Sequence, residues 1–231
     1  MKPRDRLAAA ILSLLLSFGA AAAAHAADPS TEPFDLDDLR VKITAAMPYV
    51  ELGQGGGKVL LMRHQDPGHV IPSPYDKTAR DCPPYCIEPM QLAPGVETIG
   101  ELELIDYLKR AASGEPVLVI DSRTPAWTGH GVIPGAVVIP YTRIDPATAS
   151  PSAVAELLEL EFGAVRVEGL WNFGHAKTLV FYCNGAWCGQ SPTNIRALLD
   201  LGYPAHRLKW YRGGMQSWEQ FGLTTVKASP H

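Results

Sequence analysis

The stretch that decides the fold lies at 178–194 and reads TLVFYCNGAWCGQSPTN. Its first five residues are an unbroken apolar run, which is typical of a strand buried on both faces in a parallel sheet. Two cysteines follow in a loop, and then Ser191 and Pro192, which favour the N-cap and the first position of a helix. We therefore predict a strand, a loop that begins at Cys183, and a helix that begins at Ser191.

Strands and helices alternate on both sides of this stretch. The hydrophobic pattern predicts helices at 98–112, 152–162, 191–201 and 215–221, and strands at 116–120, 136–139, 178–182 and 207–210. Thr98 and Glu101 have the spacing of a capping box at the start of the first helix. This alternation indicates an α/β doubly wound parallel sheet with helices on both faces.

The N-terminus has the pattern of an export signal. Basic residues within 1–6 precede a run without charged residues at 7–24, and Ala24-His25-Ala26 provides a cleavage site. An uncleaved anchor is the alternative, because 18 such residues approach the length that spans a bilayer. We predict cleavage after Ala26 and a periplasmic or secreted mature protein without stable membrane insertion.

The remaining chain divides by composition. Residues 27–97 are rich in Pro and Gly and form a loop-rich extension, with a short helix expected at 36–47 and a strand at 58–62. Residues 98–225 form the α/β domain, and 226–231 form a tail. Because long ordered loops are uncommon unless they pack on a domain or serve a site, we expect the extension to wrap around the α/β domain. A net charge of −4 provides no cationic field for a phosphate backbone, which argues against a nucleic-acid partner.

All four cysteines lie beyond the predicted cleavage site, so they face an oxidising compartment. The simplest pairing is local, Cys82 with Cys86 and Cys183 with Cys188, although the sequence leaves the crossed pairings open. Cys82 and Cys86 are interpreted as a disulfide that shapes the extension. In the alternative, the extension lies over the crevice and one of its thiols exchanges with Cys183. A shared zinc site fits the spacing less well, and we expect no metal and no cofactor.

Cys183 is the strongest candidate for chemistry. The carboxyl ends of parallel strands form the ligand crevice of an open sheet, so a cysteine at that point is presented to substrate. The N-terminus of the following helix provides backbone N–H groups and a positive dipole, which lower a thiol's pKa. These features predict a nucleophilic cysteine. The alternative is a permanently oxidised structural pair with Cys188.

Four motifs in order resemble the rhodanese-like sulfurtransferase family over 98–223. They are Val119-Ile120-Asp121-Ser122-Arg123-Thr124-Pro125, Gly131-Val132-Ile133-Pro134-Gly135-Ala136, the cysteine after the central strand, and Tyr211-Arg212-Gly213-Gly214 followed by Trp218. The resemblance implies that Cys183 attacks a small sulfur donor, holds a persulfide and passes the sulfur to a thiol acceptor. It also implies that the active loop forms a cradle of N–H donors, at Asn184, Gly185, Ala186, Trp187, Gly189, Gln190 and Ser191.

The chain departs from the family pattern in ways that bear on the donor. Family members that use thiosulfate commonly close the loop with Arg or Lys, where this chain has Gln190, so thiosulfate is doubtful as a donor. Cys188 could resolve a persulfide or sulfenate on Cys183 as a disulfide. We expect Asp121 and Arg123 to fix the loop ends through an ion pair.

Three functions are compatible with these residues. The leading one is a sulfurtransferase that carries sulfane sulfur on Cys183. The second is a periplasmic thiol-disulfide redox protein that cycles Cys183 and Cys188, with another periplasmic redox protein as its partner. The third is a catalytically silent module that binds a partner through Trp187 and the extension, since an aromatic residue beside a thiol serves either as a lid or as a docking residue.

Overall fold

The computed structural model describes residues 35–54 and 56–228. The chain forms two compact units, Met1–Asp37 and Asp38–His231. In the first, the Asp37 N–H donates to the Asp35 carboxylate at 3.0 Å, and the predicted signal segment lies outside the described residues. Within the described ranges no helix is long and apolar enough to cross a membrane.

The second unit contains a central parallel sheet, two short hairpins and flanking helices. The strands are β1 (Val50–Gln54), β2 (Gly57–Leu61), β3 (Glu97–Ile99), β4 (Val117–Asp121), β5 (Val137–Val138), β6 (Val165–Val167), β7 (Leu170–Asn172), β8 (Thr178–Tyr182) and β9 (Leu208–Tyr211). The helices are α1 (Glu101–Ala112), α2 (Pro125–Thr128), α3 (Pro151–Leu160), α4 (Gln190–Asp200) and α5 (Gly214–Gln220). The central sheet has five strands in the order β3-β9-β8-β4-β5, all paired in parallel.

Hydrophobic core lies on both faces of this sheet. Alternate residues of β8 point to opposite faces, so that Leu179 and Phe181 join one cluster while Val180 and Tyr182 join the other. The first cluster includes apolar residues of α3 and α4, and the second includes those of α1 and α5. A strand covered on both sides in this way needs the continuous apolar run seen in its sequence. The predicted doubly wound α/β fold is confirmed.

Four local predictions are wrong, three of them at the starts of helices. Thr98 lies in β3, and it is Glu103 that accepts the Gly100 N–H at 3.0 Å before α1 begins at Glu101. The helix after the cysteine loop begins one residue early, at Gln190, with Gly189 as its N-cap. Its serine, Ser191, does not cap because its hydroxyl donates to a neighbouring strand end.

The helix expected at 36–47 is also absent from the described part of that range, where the backbone forms turns and bends. The Gln65 side chain provides the reason, because its amide oxygen accepts the Arg40 and Val41 N–H groups and its amide nitrogen donates to the Val41 carbonyl. Backbone groups held by a distant side chain are not available for helical hydrogen bonds.

Residues 38–97 of the extension pack on the α/β domain. Leu52 and Leu61 of the β1–β2 hairpin are buried in the same cluster as Leu104 and Leu108 of α1. Further along, Tyr75 is buried to 1% exposure. Residues 38–97 therefore contribute directly to the core rather than only connecting to it.

Candidate active site

Cys183 follows the last residue of β8, at the carboxyl edge of the sheet, and is paired with Cys188. The Cα atoms of the pair lie 6.2 Å apart, and the two residues are only 2% and 5% exposed. Cys82 and Cys86 form the second disulfide, with a Cα separation of 4.7 Å. The structure thus contains the two local pairings that the sequence favours.

Three backbone carbonyl groups in the loop between Cys183 and α4 accept hydrogen bonds from residues outside the loop. The carbonyls of Cys183 and Asn184 accept the N–H groups of Met215 and Gln216, each at 2.9 Å. The Ala186 carbonyl accepts the Glu88 N–H at 2.8 Å. These bonds fix the loop through its acceptors and keep its donors available.

The donors of the loop are correspondingly unused. Among the residues that the structure describes, the backbone N–H groups of Gly185, Ala186, Trp187, Gly189 and Gln190 have no protein acceptor. Together with the N-terminal end of α4, they provide donors and a positive dipole for an anion. This is the environment in which a cysteine thiolate or a terminal persulfide anion is stabilised.

Gly214 is required for the attachment of this loop to α5. Its φ is +55°, and a Cβ there would collide with the Cys183 carbonyl oxygen and approach the Gly185 nitrogen to 2.7 Å. A glycine avoids both the steric overlap and the cost of a left-handed backbone. The Gly213-Gly214 pair noticed in the sequence therefore serves the site as well as the turn.

The Gln190 side chain lies beside the two sulfurs. Its amide oxygen lies 3.6 Å from Cys183 Sγ and 3.8 Å from Cys188 Sγ. The Asn184 amide nitrogen lies 3.9 Å from Cys188 Sγ, and its buried amide oxygen has no partner among the described residues. Among the described residues, the polar side chains in contact with the sulfurs are therefore two neutral amides.

Asp121 and Arg123 form a buried ion pair at the end of β4. Both side chains are fully buried, and the Arg123 guanidinium donates to both carboxylate oxygens of Asp121. It also donates to the Tyr75 hydroxyl at 2.6 Å and to the Gly131 carbonyl at 2.7 Å. Burial lowers the pKa of Arg123, but the charge of Asp121 outweighs it and leaves this pKa raised. These contacts join β4, the Gly131 turn and the extension, so the pair holds the architecture around the loop.

Ser122 connects the end of β4 to the start of α4. Its hydroxyl oxygen accepts from the Ser191 hydroxyl at 3.0 Å and from the Asn194 amide at 3.1 Å, and all three residues are buried. The sequence placed Ser191 in the active loop; the structure uses it to position the helix. Asn194 was not recognised from the sequence, because one polar residue within a helical pattern gives no signal of a buried contact.

Trp187 is covered by residues 75–88 of the extension, here called the covering segment. The guanidinium carbon of Arg80 lies 3.8 Å from the centroid of the Trp187 ring, and the Tyr85 ring meets it edge-on at 5.5 Å. The Trp187 indole N–H donates to the Gln216 amide oxygen at 2.7 Å. The covering segment therefore packs directly on the Trp187 ring.

The covering segment is also hydrogen-bonded to two side chains near the N-terminal end of α5. Arg212 donates to the Glu88 carbonyl at 2.8 Å, and the Gln216 amide donates to the Tyr75 carbonyl at 3.1 Å. A cleft of about 750 Å³ lies between the segment and the loop, and its walls include Arg80, Arg212, both extension cysteines and Trp187. No local pattern in the sequence indicates these partners, beyond the general expectation that the extension packs on the domain.

Glu219 is a buried acid on α5, close to this network. Burial raises its pKa to about 7, although the charge of Arg123 acts in the opposite direction. Because the folded protein retains this proton while the unfolded chain loses it near pH 4.5, the stability from this group is complete below pH 4.5 and is lost as the pH rises through about 7. The Glu219→Gln variant cannot lose this proton, so its free energy of unfolding should rise relative to that of the wild type by about 1–2 kcal/mol between pH 4.5 and pH 8, after solvent screening is included. Urea unfolding of both proteins at pH 4.5 and at pH 8 measures this difference. The prediction is contradicted if the free energy of unfolding changes by the same amount in both proteins between the two pH values.

No metal centre is indicated by the described ranges, in which no group of three or more His, Cys, Asp or Glu side chains is arranged to hold an ion.

The family of the chain follows from a match to a family model. The model described as rhodanese-like domain covers residues 104–221, or 118 of the 231 residues. The chain belongs to the rhodanese-like domain family. A search of curated protein sequences finds no match.

Solved structures give similar folds at low identity. The BH2092 protein from Bacillus halodurans is 19% identical, with 58% of this chain and 82% of that chain covered and a TM-score of 0.39. The human single-domain sulfurtransferase TSTD1 is 23% identical, with 54% and 96% covered and a TM-score of 0.36. A rhodanese-related protein from Thermoplasma volcanium is 18% identical, with 56% and 97% covered and a TM-score of 0.32.

Proposed function

We propose that the protein is a sulfurtransferase that carries sulfane sulfur as a persulfide on Cys183 and passes it to a thiol acceptor. The observation that carries the proposal is the position of Cys183, directly after β8 and at the start of a loop in which the N–H groups of Gly185, Ala186, Trp187, Gly189 and Gln190 have no acceptor among the described residues. Membership of the rhodanese-like family supports it. The Cys183–Cys188 disulfide is then the resting, oxidised form, and reduction precedes sulfur transfer.

The chemistry begins with the Cys183 thiolate. The thiolate attacks the outer sulfur of the donor, the bond between that sulfur and the donor breaks, and the donor leaves as an anion with the bond's electron pair. The loop N–H groups stabilise the persulfide anion that remains. An acceptor thiolate then attacks the outer sulfur and regenerates the Cys183 thiolate.

The donor is expected to be a thiol-bound persulfide rather than thiosulfate. The side chain beside both sulfurs is the neutral Gln190, and the charge of the nearby Arg123 is taken up by Asp121. Arg212 donates to the Glu88 carbonyl. Among the described residues, the side chains within hydrogen-bonding distance of the sulfurs carry no positive charge that a dianionic donor could use.

Gln190→Arg should raise kcat/KM for thiosulfate by about tenfold to a hundredfold. A charge-assisted contact contributes about 1.5–3 kcal/mol, and its effect on rate is of this order when the contact is present in the transition state. Steady-state assays with thiosulfate and with an uncharged persulfide separate the effect of charge from any change in the loop, with Gln190→Leu as the uncharged control. Efficient use of thiosulfate by the wild type, unchanged in Gln190→Arg, would show that Arg212 or another cation already supplies the charge.

A second candidate function is thiol-disulfide exchange at Cys183 and Cys188, and the disulfide between them favours it. The two candidates predict different masses for the reduced protein after treatment with a sulfane donor. Sulfur transfer predicts a gain of about 32 Da, one sulfur atom, whereas redox cycling predicts only the loss of about 2 Da when the disulfide forms again. We further propose that either function operates after export, in the periplasm or outside the cell, where disulfides persist.

A further inference from the structure

The loops closed by the two disulfides contact each other. Tyr85, inside the Cys82–Cys86 ring, meets Trp187, inside the Cys183–Cys188 ring, with 5.5 Å between ring centroids. Two residues beyond Cys86, the Glu88 N–H donates to the carbonyl of Ala186, which also belongs to the second ring. Two small disulfide loops from distant parts of the sequence are therefore packed and hydrogen-bonded to each other.

The two disulfides differ in their access to solvent. Cys82 is exposed and Cys86 is half-buried, and both line the cleft beside Trp187. Cys183 and Cys188 are only 2% and 5% exposed, and the covering segment contacts the loop that holds them. A protein-sized reductant can therefore approach the extension disulfide, whereas the disulfide of the active loop is shielded.

We propose that Cys82 and Cys86 form a redox site through which the Cys183–Cys188 disulfide is opened. The inference rests on the proposed function, because Cys183 accepts sulfur only as a free thiolate. It gives the extension a chemical role beyond packing, that of passing reducing equivalents from an external dithiol protein to the buried active loop.

The exchange balances as two dithiol-disulfide steps. An external dithiol reduces Cys82–Cys86 and is itself oxidised to a disulfide. One thiolate of the reduced extension pair then attacks a sulfur of Cys183–Cys188, which forms a mixed disulfide and releases the other sulfur of that pair as a thiolate. The second extension thiolate attacks its own partner in the mixed disulfide, so that Cys82–Cys86 forms again and Cys183 and Cys188 both become thiols.

The first test compares the oxidised wild type with the double variant Cys82→Ser/Cys86→Ser, using reduced thioredoxin as the dithiol protein. Timed alkylation followed by peptide mass mapping measures the opening of Cys183–Cys188. We expect the Cys183–Cys188 disulfide to open at least about tenfold more slowly in the double variant, because thioredoxin must then reach this buried disulfide directly. Equal rates in the two proteins would overturn the proposal.

A second measurement needs no substitution in this protein and holds even if the double variant folds poorly. A thioredoxin variant that lacks its resolving cysteine traps the first mixed disulfide, and peptide mass mapping should find it joined to Cys82 or Cys86 of the oxidised wild type. Capture of this thioredoxin on Cys183 or Cys188 alone would contradict the proposed route.

The mixed disulfide provides the third test. Among variants that keep one cysteine of each pair, at least one should form a disulfide between the extension and the active loop on mild oxidation, identified by its cross-linked peptides. If none forms it within the monomer, the exchange step is excluded. A separate measurement tests the proposed function. The double variant, reduced with a phosphine that is removed before a sulfane donor is added, should still gain about 32 Da on Cys183, the mass of one sulfur.

Discussion

Replacing Cys183 by Ser should abolish the proposed sulfur transfer, with a loss of at least about a thousandfold, because the substitution removes the sulfur on which the proposed persulfide forms. Cys188→Ser is the matched control within the same loop. It should retain sulfur loading after reduction, since Cys188 is not the residue that directly follows β8. It should, however, lose the ability to form the reversible disulfide.

The measurement is the rate of sulfur transfer to an acceptor thiol by both pre-reduced variants and the wild type. Circular dichroism of the variants shows whether each remains folded. Equal loss of transfer in both variants would contradict the assignment of Cys183 as the sole nucleophile and would favour a function that needs both sulfurs.

Arg123→Ala should destabilise the protein by about 3–5 kcal/mol, because it leaves the Asp121 carboxylate buried without its partner. Both side chains are fully buried, so solvent does not reach the carboxylate to replace the guanidinium. The substitution also removes the hydrogen bonds to Tyr75 and Gly131 that hold the extension and the neighbouring turn.

Urea unfolding of Arg123→Ala and of the double variant Asp121→Leu/Arg123→Met distinguishes the cost of an unpaired charge from the value of the pair. We expect the double variant to be more stable than Arg123→Ala, because apolar residues of similar volume leave no buried charge uncompensated. A loss of less than about 1 kcal/mol in Arg123→Ala would show that the pair does not hold the architecture.

The central strand of the sheet was predicted correctly because its sequence follows directly from burial on both faces. The apolar run of β8 has few alternatives once both of its faces are covered, and the predicted strand at 178–182 has the bounds of β8. The chain's order of strands and helices then restricts the topology. The cysteine at the end of this strand was located for the same reason.

The start of α4 was predicted one residue late, which illustrates the limit of local rules. Ser191 is a strong N-cap residue in isolation. In the folded protein its hydroxyl donates to Ser122, 69 residues away in sequence, and the cap falls on Gly189. A long-range hydrogen bond of this kind leaves no mark in the local pattern.

The cover over the active loop could not be predicted for a similar reason. Arg80, Tyr85 and Glu88 occur in a stretch rich in Pro and Gly that has no periodicity, and each contacts a residue more than 90 positions away. The sequence indicated that so long an ordered loop should pack against the domain and offered, as one alternative, that it lies over the crevice, but it identified none of these contacts. The contact of the two disulfide loops was visible only in three dimensions.

The most direct test of sulfur transfer by Cys183 is the mass of the peptide that contains this residue, measured in the wild type after reduction, removal of the reductant and addition of a thiol-bound persulfide. We expect a gain of about 32 Da, one sulfur atom, located on Cys183 and lost again when an acceptor thiol is added. A peptide that gains no sulfur, or one that gains it only on Cys188, would contradict the central claim.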